Sequence, residues 1–352
     1  MARSKLLTIK FTILFLSTII VFAVSAQEKR DFKVVCVAFY NVENLFDTIN
    51  TPGINDVEFT PQGPNNWNTP KYFEKLDNLA RVISEIGTDF TPHGPAIIGL
   101  SEVENEVVLE DLAKRKAIAS RNYQVVHFYG PDARGVDVAL MYQPEYFKVT
   151  NSKSYRLTIP GRDNFRSRDQ LLVSGELHGE LMHFIVTHWP SRRGGESRSR
   201  PLRIAAADLG RHIIDSLQRL DPNAKIIFMG DLNDNPDNIS VTKHLRAVSE
   251  AKDMKEGDLF NPFFSFYKRG IGTLAWRDTW SLFDMLLLSK PLISDDYSSY
   301  RFYRANVFNK KFLQQPSGRF RGYPFRSYAG GQYLGGFSDH YPTYVLLVKE
   351  NQ

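Results

Sequence analysis

One cysteine, Cys36, is present in 352 residues. That scarcity excludes an intrachain disulfide framework and any zinc site built from several thiolates. No stretch rich in Gly, Ser or Pro marks a linker, and 23 glycines and 18 prolines are too few for a collagen-like chain. No period of about 20 to 50 residues repeats, which removes solenoids and propellers. After residue 26 no run is apolar enough to span a membrane. What is there is the make-up of a globular protein, 42% hydrophobic, 24% charged and 13% aromatic. A chain of this length buries roughly three quarters of its unfolded surface, so core is not scarce.

The net charge of +5 is partly a property of the N-terminus. Arg3, Lys5 and Lys10 precede the uncharged apolar run Phe11 to Val24, which closes on Val24-Ser25-Ala26. A charged start, an apolar run and a small-x-small ending form a secretory signal peptide, and the run is short for a spanning helix of about 20 residues. The expectation is cleavage after Ala26, a mature domain at 27–352, and a secreted or periplasmic protein without a membrane anchor. The three basic residues leave with the leader, so +5 becomes +2. Attraction for an anionic substrate must then come from local clusters.

Short apolar runs recur through the mature chain at Val34–Phe39, Ala96–Leu100, Val136–Tyr142, Met182–Thr187, Ile226–Met229, Phe283–Leu288 and Tyr344–Val348. Rich in Val, Ile and Phe and closed by Gly, Pro, Asn or Asp, they read as buried strands. Helical patterns lie between them. Thr69-Pro70 caps a helix over Lys71–Ile86 with Phe73, Leu76, Leu79, Ala80 and Ile83 inward, and Val107–Ile118 and Leu202–Leu220 read alike. Alternating strands and helices make one α/β domain with sheets covered by helices.

Polar residues gather where the apolar runs end, as ligand sites do in α/β sheets. The five places are Tyr40-Asn41-Val42-Glu43-Asn44, Ser101-Glu102-Val103-Glu104-Asn105, His188-Trp189-Pro190, Gly230-Asp231-Leu232-Asn233-Asp234 and Ser338-Asp339-His340. Singly each is weak, since Gly-Asp-x-Asn is commonly just a turn. Together they supply oxygen ligands and two histidines for one hard divalent cation and one phosphate. Phosphodiester hydrolysis needs a cation on the anionic oxygens, a base for water and a donor near the leaving group. Mg²⁺ needs only one or two carboxylates besides the phosphate, which suits Glu102 and Asp339. His340 is the candidate base. Asp284, otherwise an unexplained charge inside an apolar run, is the partner that would orient it.

The order Asn41, Glu102, His188, Asp231-x-Asn233, Asp284, Asp339-His340 resembles the endonuclease/exonuclease/phosphatase superfamily, the deoxyribonuclease I-like fold, across essentially the whole mature chain. Gly-Asp-Leu-Asn and Ser-Asp-His are the most specific pieces. The resemblance implies a four-layer α/β sandwich, two mixed β-sheets packed face to face with helices outside, and a Mg²⁺-dependent phosphoesterase (Mn²⁺ or Ca²⁺ being alternatives). It implies that Asn41 and Glu102 surround the metal with help from Asp339, that His340 is the base or a phosphate ligand oriented by Asp284, and that Asp231 and Asn233 position the attacking water and the phosphate. His188 would donate to the phosphate from the opposite side. In the nuclease branch a carboxylate supports this second histidine; Asp132 and Asp137 are both candidates. Leu282-Phe283-Asp284-Met285 lacks the Cys and Arg of the inositol-phosphate branch, which disfavours it.

Directly after His188, Arg192, Arg193, Arg198 and Arg200 read either as a phosphate-backbone clamp or as a solvated loop leading into a helix. Arg319-Phe320-Arg321-Gly322-Tyr323 and Phe325-Arg326 interleave cations with rings, as in base-stacking surfaces; a loop packed by its own aromatics is the preferred reading. His93, His127, His178, His183, His212 and His244 fall outside any constellation, and Cys36 reads as buried and inert. The leading expectation is a nuclease, specifically an endonuclease, acting on nucleic acid or another phosphodiester with no obligate protein partner. A sphingomyelinase-like lipid phosphodiesterase or a phosphomonoesterase would use the same core. The lipid enzyme would need an apolar wedge, for which Phe260-Asn261-Pro262-Phe263-Phe264 is the candidate. An inactive binding protein would not need to keep both histidines and every carboxylate.

Overall fold

The computed structural model describes residues 31–351, so the expected leader lies outside the described residues. In chain order the strands are β1 (Phe32–Leu45), β2 (Pro95–Val103), β3 (Gln124–His127), β4 (Asp137–Tyr142), β5 (Phe147–Tyr155), β6 (Gln170–Leu177), β7 (Glu180–His188) and β8 (Lys225–Asp231). They continue as β9 (Ala247–Val248), β10 (Leu259–Phe260), β11 (Leu274–Trp276), β12 (Thr279–Ser281), β13 (Asp284–Ser289), β14 (Arg301–Val307), β15 (Tyr328–Ala329), β16 (Gln332–Tyr333) and β17 (Thr343–Glu350). The α-helices are α1 (Thr69–Glu85), α2 (Glu106–Ala113), α3 (Glu196–Leu220) and α4 (Phe264–Lys268).

Two large sheets have the orders β14-β17-β1-β2-β4-β3 and β5-β6-β7-β8-β13-β10-β9. Both are mixed: β1 runs parallel to β2, β7 to β8 and β9 to β10, and the other neighbours are antiparallel. Their inner faces meet through β1, β2 and β4 on one side and β7, β8 and β13 on the other. Gly99 sets how closely they approach, because a Cβ there would stand 2.6 Å from Met229 Sδ and 3.1 Å from Val186. Helix α3 covers the second sheet: Gly210 packs on Phe228, and Gln170 Nε2 donates to Ala206 O at 2.7 Å. Helices α1 and α2 pack on one another, and α2 meets β3. The result is the expected four-layer sandwich. No described helix is long and apolar enough to cross a membrane.

The helices differ in detail from the sequence reading. Asn68, rather than Thr69, caps α1, its side chain accepting from Lys71 N at 3.2 Å. Phe73 is exposed, whereas Tyr72 and Lys75 are buried with Leu76, Leu79 and Ile83. Helix α3 starts at Glu196, six residues before Leu202, and carries Pro201 inside it. Buried Arg203 braces the turn before that proline by donating to Ser199 Oγ (2.8 Å) and Glu196 O (3.4 Å).

Candidate active site

Three neighbouring strands of the second sheet lay out one row of side chains. The register sets His188 beside Asp231, and Asp231 beside Asp284. His188 and Asp231 end strands, while Asp284 starts an antiparallel one, so this edge of the sheet gathers ends and a beginning. Asn41 and Glu102 face the row from the ends of β1 and β2. Both strands shift register there, between Asn41 and Leu45 and between Ser101 and Val103. Glu43, Asn44 and Glu102 have φ of 51°, 52° and 64°. Such left-handed backbone costs about 1–3 kcal/mol per residue and re-aims side chains at the strand ends. The loop entering β17 is tied to β1 through Ser338, whose Oγ donates to Asn41 O (2.7 Å) and accepts from His340 N (3.1 Å).

His340 Nδ1 and Asp284 Oδ2 are 2.7 Å apart, and His340 Nε2 lies 3.9 Å from Asp231 Oδ2. Asp231 accepts from Asn41 Nδ2 (3.0 Å) and from Asn233 N (2.9 Å). His188 Nε2 stands 3.5 Å from Asp231 Oδ2 and 3.9 Å from Glu102 Oε1. The structure thus brings together Asn41, Glu102, His188, Asp231, Asn233, Asp284 and His340. Asp339 sits at the margin, its Oδ2 accepting from Arg326 Nη2 at 2.8 Å.

Burial and charge set the protonation states. Burial works against charge on His340, but Asp284, Asp231, the hydrogen bond donated to Asp284 and Asp339 outweigh it and hold the imidazole well above its usual value. His188 is driven the other way, well below its usual value, by burial and then by Arg168, Arg134 and His340. The two histidines are therefore pushed in opposite directions, His340 toward the imidazolium and His188 toward the neutral ring. The neutral ring turns Nε2 toward two carboxylates, which favours the proton on that nitrogen, and its buried Nδ1 has no partner. Burial, with Asp284 adding to it, pushes the Asp231 carboxyl up to about 7.

Above this cluster opens a cleft of about 700 Å³, walled by Arg134, Arg166, Arg168, Arg193 and Arg198 and floored by Glu102, His188, Asp231 and His340. Two of the four arginines named from sequence, Arg193 and Arg198, line it. Arg192 is spent on the protein itself: Nε donates to Asn233 O (2.8 Å), Nη2 to Asp234 and Asn238 (3.0 Å each), and its plane lies over Phe283. Arg200 pairs with Glu196 one turn away on the exposed side of α3, outside the cleft. Arg134, Arg166 and Arg168 were not singled out from sequence, although Arg166 and Arg168 lie in the charge-rich stretch Arg162-Asp163-Asn164-Phe165-Arg166-Ser167-Arg168-Asp169. Neither candidate carboxylate supports His188: Asp132 holds Arg168 and Arg134, while Asp137 accepts from Gly130 N and faces His127. The other histidines lie outside the cleft, Cys36 is fully buried, and burial pushes its thiol far up. Phe263 is buried and Phe260 packs on Phe302, so of the candidate membrane wedge only Phe264, itself half-buried, stands off the core.

A further charged group, missed in the sequence, lies behind the metal-side residues. Lys75, 1% exposed, donates to Ser327 Oγ (2.7 Å) and Phe337 O (2.6 Å) and stands 3.9 Å from Glu43. Glu43 also accepts from Ser327 N and pairs with Arg326. Burial lowers Lys75 to about 8, and burial with Asp339 raises Glu43 to about 7. A lysine on the apolar stripe of α1, three residues after Tyr72 and four before Leu79, was the available signal.

A layered pair of mixed sheets carrying a carboxylate–histidine cluster under an arginine-walled cleft defines a phosphoesterase of the deoxyribonuclease I type. The model of the endonuclease/exonuclease/phosphatase family matches residues 36–349, and the chain belongs to that family of metal-dependent hydrolases acting on phosphoester bonds. No curated protein matches the sequence. Among solved structures it resembles a family member from Bacteroides thetaiotaomicron, with 17% identity, a TM-score of 0.58 and coverage of 92% of this chain and 100% of that one. It also resembles a mannosyl-6-phosphatase from the same organism (16%, 0.55, 89% and 99%). TDP2 of D. rerio complexed with single-strand DNA product is similar as well (13%, 0.53, 89% and 98%).

The residues present fit a hard divalent cation. Glu102 Oε2 accepts from Asn44 N at 2.9 Å, but Oε1 has only Arg134 Nη2 at 3.8 Å and the neutral His188 Nε2 at 3.9 Å beside it, so one oxygen is left toward the cleft. Asp284 Oδ1 is buried without a partner, and Asp231 and Asp284 offer carboxylate oxygens within 4.8 Å of each other. The donor set is mostly oxygen, as Mg²⁺, Mn²⁺ or Ca²⁺ prefers.

Proposed function

We propose that the protein is an exported Mg²⁺-dependent phosphodiesterase that cleaves nucleic acid, with water as the nucleophile. The observation that carries the reading is the facing of two unlike surfaces: five arginines along one cleft above a buried cluster of two histidines and three carboxylates. An arginine wall of that extent suits a substrate with more than one phosphate. The TDP2 relative with its single-strand DNA product supports the same substrate class.

Glu102 and Asn41, with Asp339 in support, would hold the cation, which when bound neutralises the phosphoryl oxygens and acts as a Lewis acid. His340, kept charged by Asp284, donates Nε2–H to a phosphoryl oxygen. His188, neutral, donates its own N–H from the opposite side of the cleft. Asp231 takes the proton from water, since burial lifts its carboxyl to about 7 whereas His340 is held toward its charged form. As the water oxygen bonds to phosphorus the P–O bond to the leaving group breaks, the leaving oxygen takes a proton from solvent, and Asp231 returns its own to solvent. In this reading Asp231 is the proton acceptor and His340 takes the phosphate-ligand role. Asn233 fixes the second oxygen of Asp231 through its backbone N–H.

The test is a panel of duplex DNA, single-stranded DNA, RNA, sphingomyelin and a phosphomonoester, each with Mg²⁺ and with chelator. Metal-dependent cleavage of a nucleic acid is expected; turnover of only sphingomyelin or the monoester would overturn the substrate assignment. Intact mass of exported protein should show Gln27 as the first residue, and a retained leader would overturn the processing.

A further inference from the structure

Two segments beside the acid–base cluster enclose a second cavity of about 420 Å³. One wall is the β11–β12 hairpin, whose turn residues Arg277 and Asp278 have φ of 48° and 62°. Both are left-handed without glycine, so the turn persists only because something holds it. Tyr323 does: its hydroxyl accepts from Asp278 N (2.7 Å) and donates to Asp278 Oδ1 (2.6 Å). The other wall is the turn around Phe320 and Tyr323. Both walls hang on Tyr341, the residue after His340. Tyr341 N donates to Thr273 O, its hydroxyl donates to Gly322 O at 3.0 Å, and its ring stacks on Trp280. The cavity is therefore in fixed register with His340, and Arg326, paired with Asp339, forms part of its lining.

Its lip is unusual. Trp276 is 70% exposed and Phe320 is 49% exposed, although both stand on this braced framework. Arg277 lies over Trp276, Arg319 lies over Phe320, and neither has an ion-pair partner among the described residues. The one carboxylate of the lining, Asp278, is occupied by Tyr323. Flat rings interleaved with unpaired cations complement a flat base carrying phosphates on either side.

We propose that this groove holds a nucleobase of a single-stranded nucleic acid, next along the strand from the phosphate under attack, with Arg277 and Arg319 on the flanking phosphates. The proposal rests on the nuclease reading and gives it a strand preference. The arginine cleft would follow the backbone and the groove would take a base, which a paired base cannot offer.

The test compares a short oligothymidylate, the same strand with abasic sites, and bis(p-nitrophenyl) phosphate, using the exported protein and Trp276→Ala/Phe320→Ala. Stacking on an aromatic wall predicts a KM about 5- to 100-fold higher for the base-bearing strand in the variant. The abasic strand and the chromogenic diester should be unchanged, and Trp276→Phe should recover most of the loss. Equal KM for base-bearing and abasic strands in the unmodified protein overturns the groove alone, as does an equal loss on all three substrates in the variant. Hydrolysis of the diester with cleavage of neither strand overturns the nuclease reading itself. Sphingomyelin vesicle binding that depends on Trp276 and Phe320 would assign the groove to a lipid surface and overturn the nucleobase.

Discussion

Asp284→Asn removes one charge without changing shape, at a side chain that is fully buried. The 2.7 Å contact to His340 is a charge-assisted hydrogen bond, worth about 1.5–3 kcal/mol. Against that loss, the wild-type carboxylate is held in the core with Oδ1 unpartnered, a penalty the amide relieves. Destabilisation should therefore stay at or below about 3 kcal/mol, or roughly 4–5 °C in Tm for a chain of this size. Activity should fall much further, by about 10²- to 10⁴-fold, because the imidazolium loses its orienting charge. The pH profile separates the two effects. Burial pulls His340 down and Asp284 is the first of the charges that raise it. Without that charge the ring deprotonates at lower pH, and the alkaline limb of kcat/KM moves down. The sign for stability agrees. A raised histidine stabilises fully below its unfolded value and loses that contribution as pH rises through the folded value, so the variant should lack the wild-type alkaline decline. The assay is kcat/KM against pH on a chromogenic diester, with thermal melts over the same range. An unmoved alkaline limb with less than a tenfold loss would refute the pairing. The double mutant with His340→Ala should lose little more than the worse single one.

Glu102→Gln should raise the Mg²⁺ concentration for half-activity at least about tenfold. Glu104→Gln should shift it little, because Glu104 is turned to Asp47 N and Thr51 Oγ1 and braces a loop instead. Replacing Arg193 and Arg198 should flatten the slope of log affinity against log salt by about 0.7–0.9 per phosphate contact, while Arg200→Ala leaves it alone. Arg192→Ala should instead lower thermal stability, since its three hydrogen bonds hold the turn after Asp231. Lys75→Met leaves Glu43 in the core with Arg326 as its one remaining cation, at a cost of about 3–5 kcal/mol. Glu43 already sits above its usual range, so its stability contribution is lost as pH rises, and melts should show the Lys75→Met penalty growing from acidic to mildly alkaline pH.

All seven apolar runs became strands, namely β1, β2, β4, β7, β8, β13 and β17, because each is buried on both faces and reads as a continuous hydrophobic block. The strands that escaped notice are chiefly at the sheet edges: β3 and β14 in one sheet, β5 and β9 in the other. Edge strands face water and are polar, so Phe147–Tyr155 and Arg301–Val307 carry no such block. The same physics divided the site. Residues fixed to strand ends, such as Glu102, Asp231 and Asp284, were legible because a polar residue there breaks an apolar run. Arg134, Arg166 and Arg168 come from irregular loops, whose approach to the cleft is set by packing far away in the chain. Arg192 shows the converse, a cation with the right composition whose hydrogen bonds turn it inward.

Metal-dependent phosphodiester hydrolysis at the Glu102–Asp231–His340 cluster is tested most directly by one titration. The protein is stripped with chelator and Mg²⁺ is added back while hydrolysis of bis(p-nitrophenyl) phosphate is followed, with Glu102→Gln in parallel. Expected are no turnover after stripping, full recovery with Mg²⁺, and a recovery curve displaced to higher Mg²⁺ in the variant. Undiminished turnover in chelator, or superimposable curves for the two proteins, would contradict the assignment.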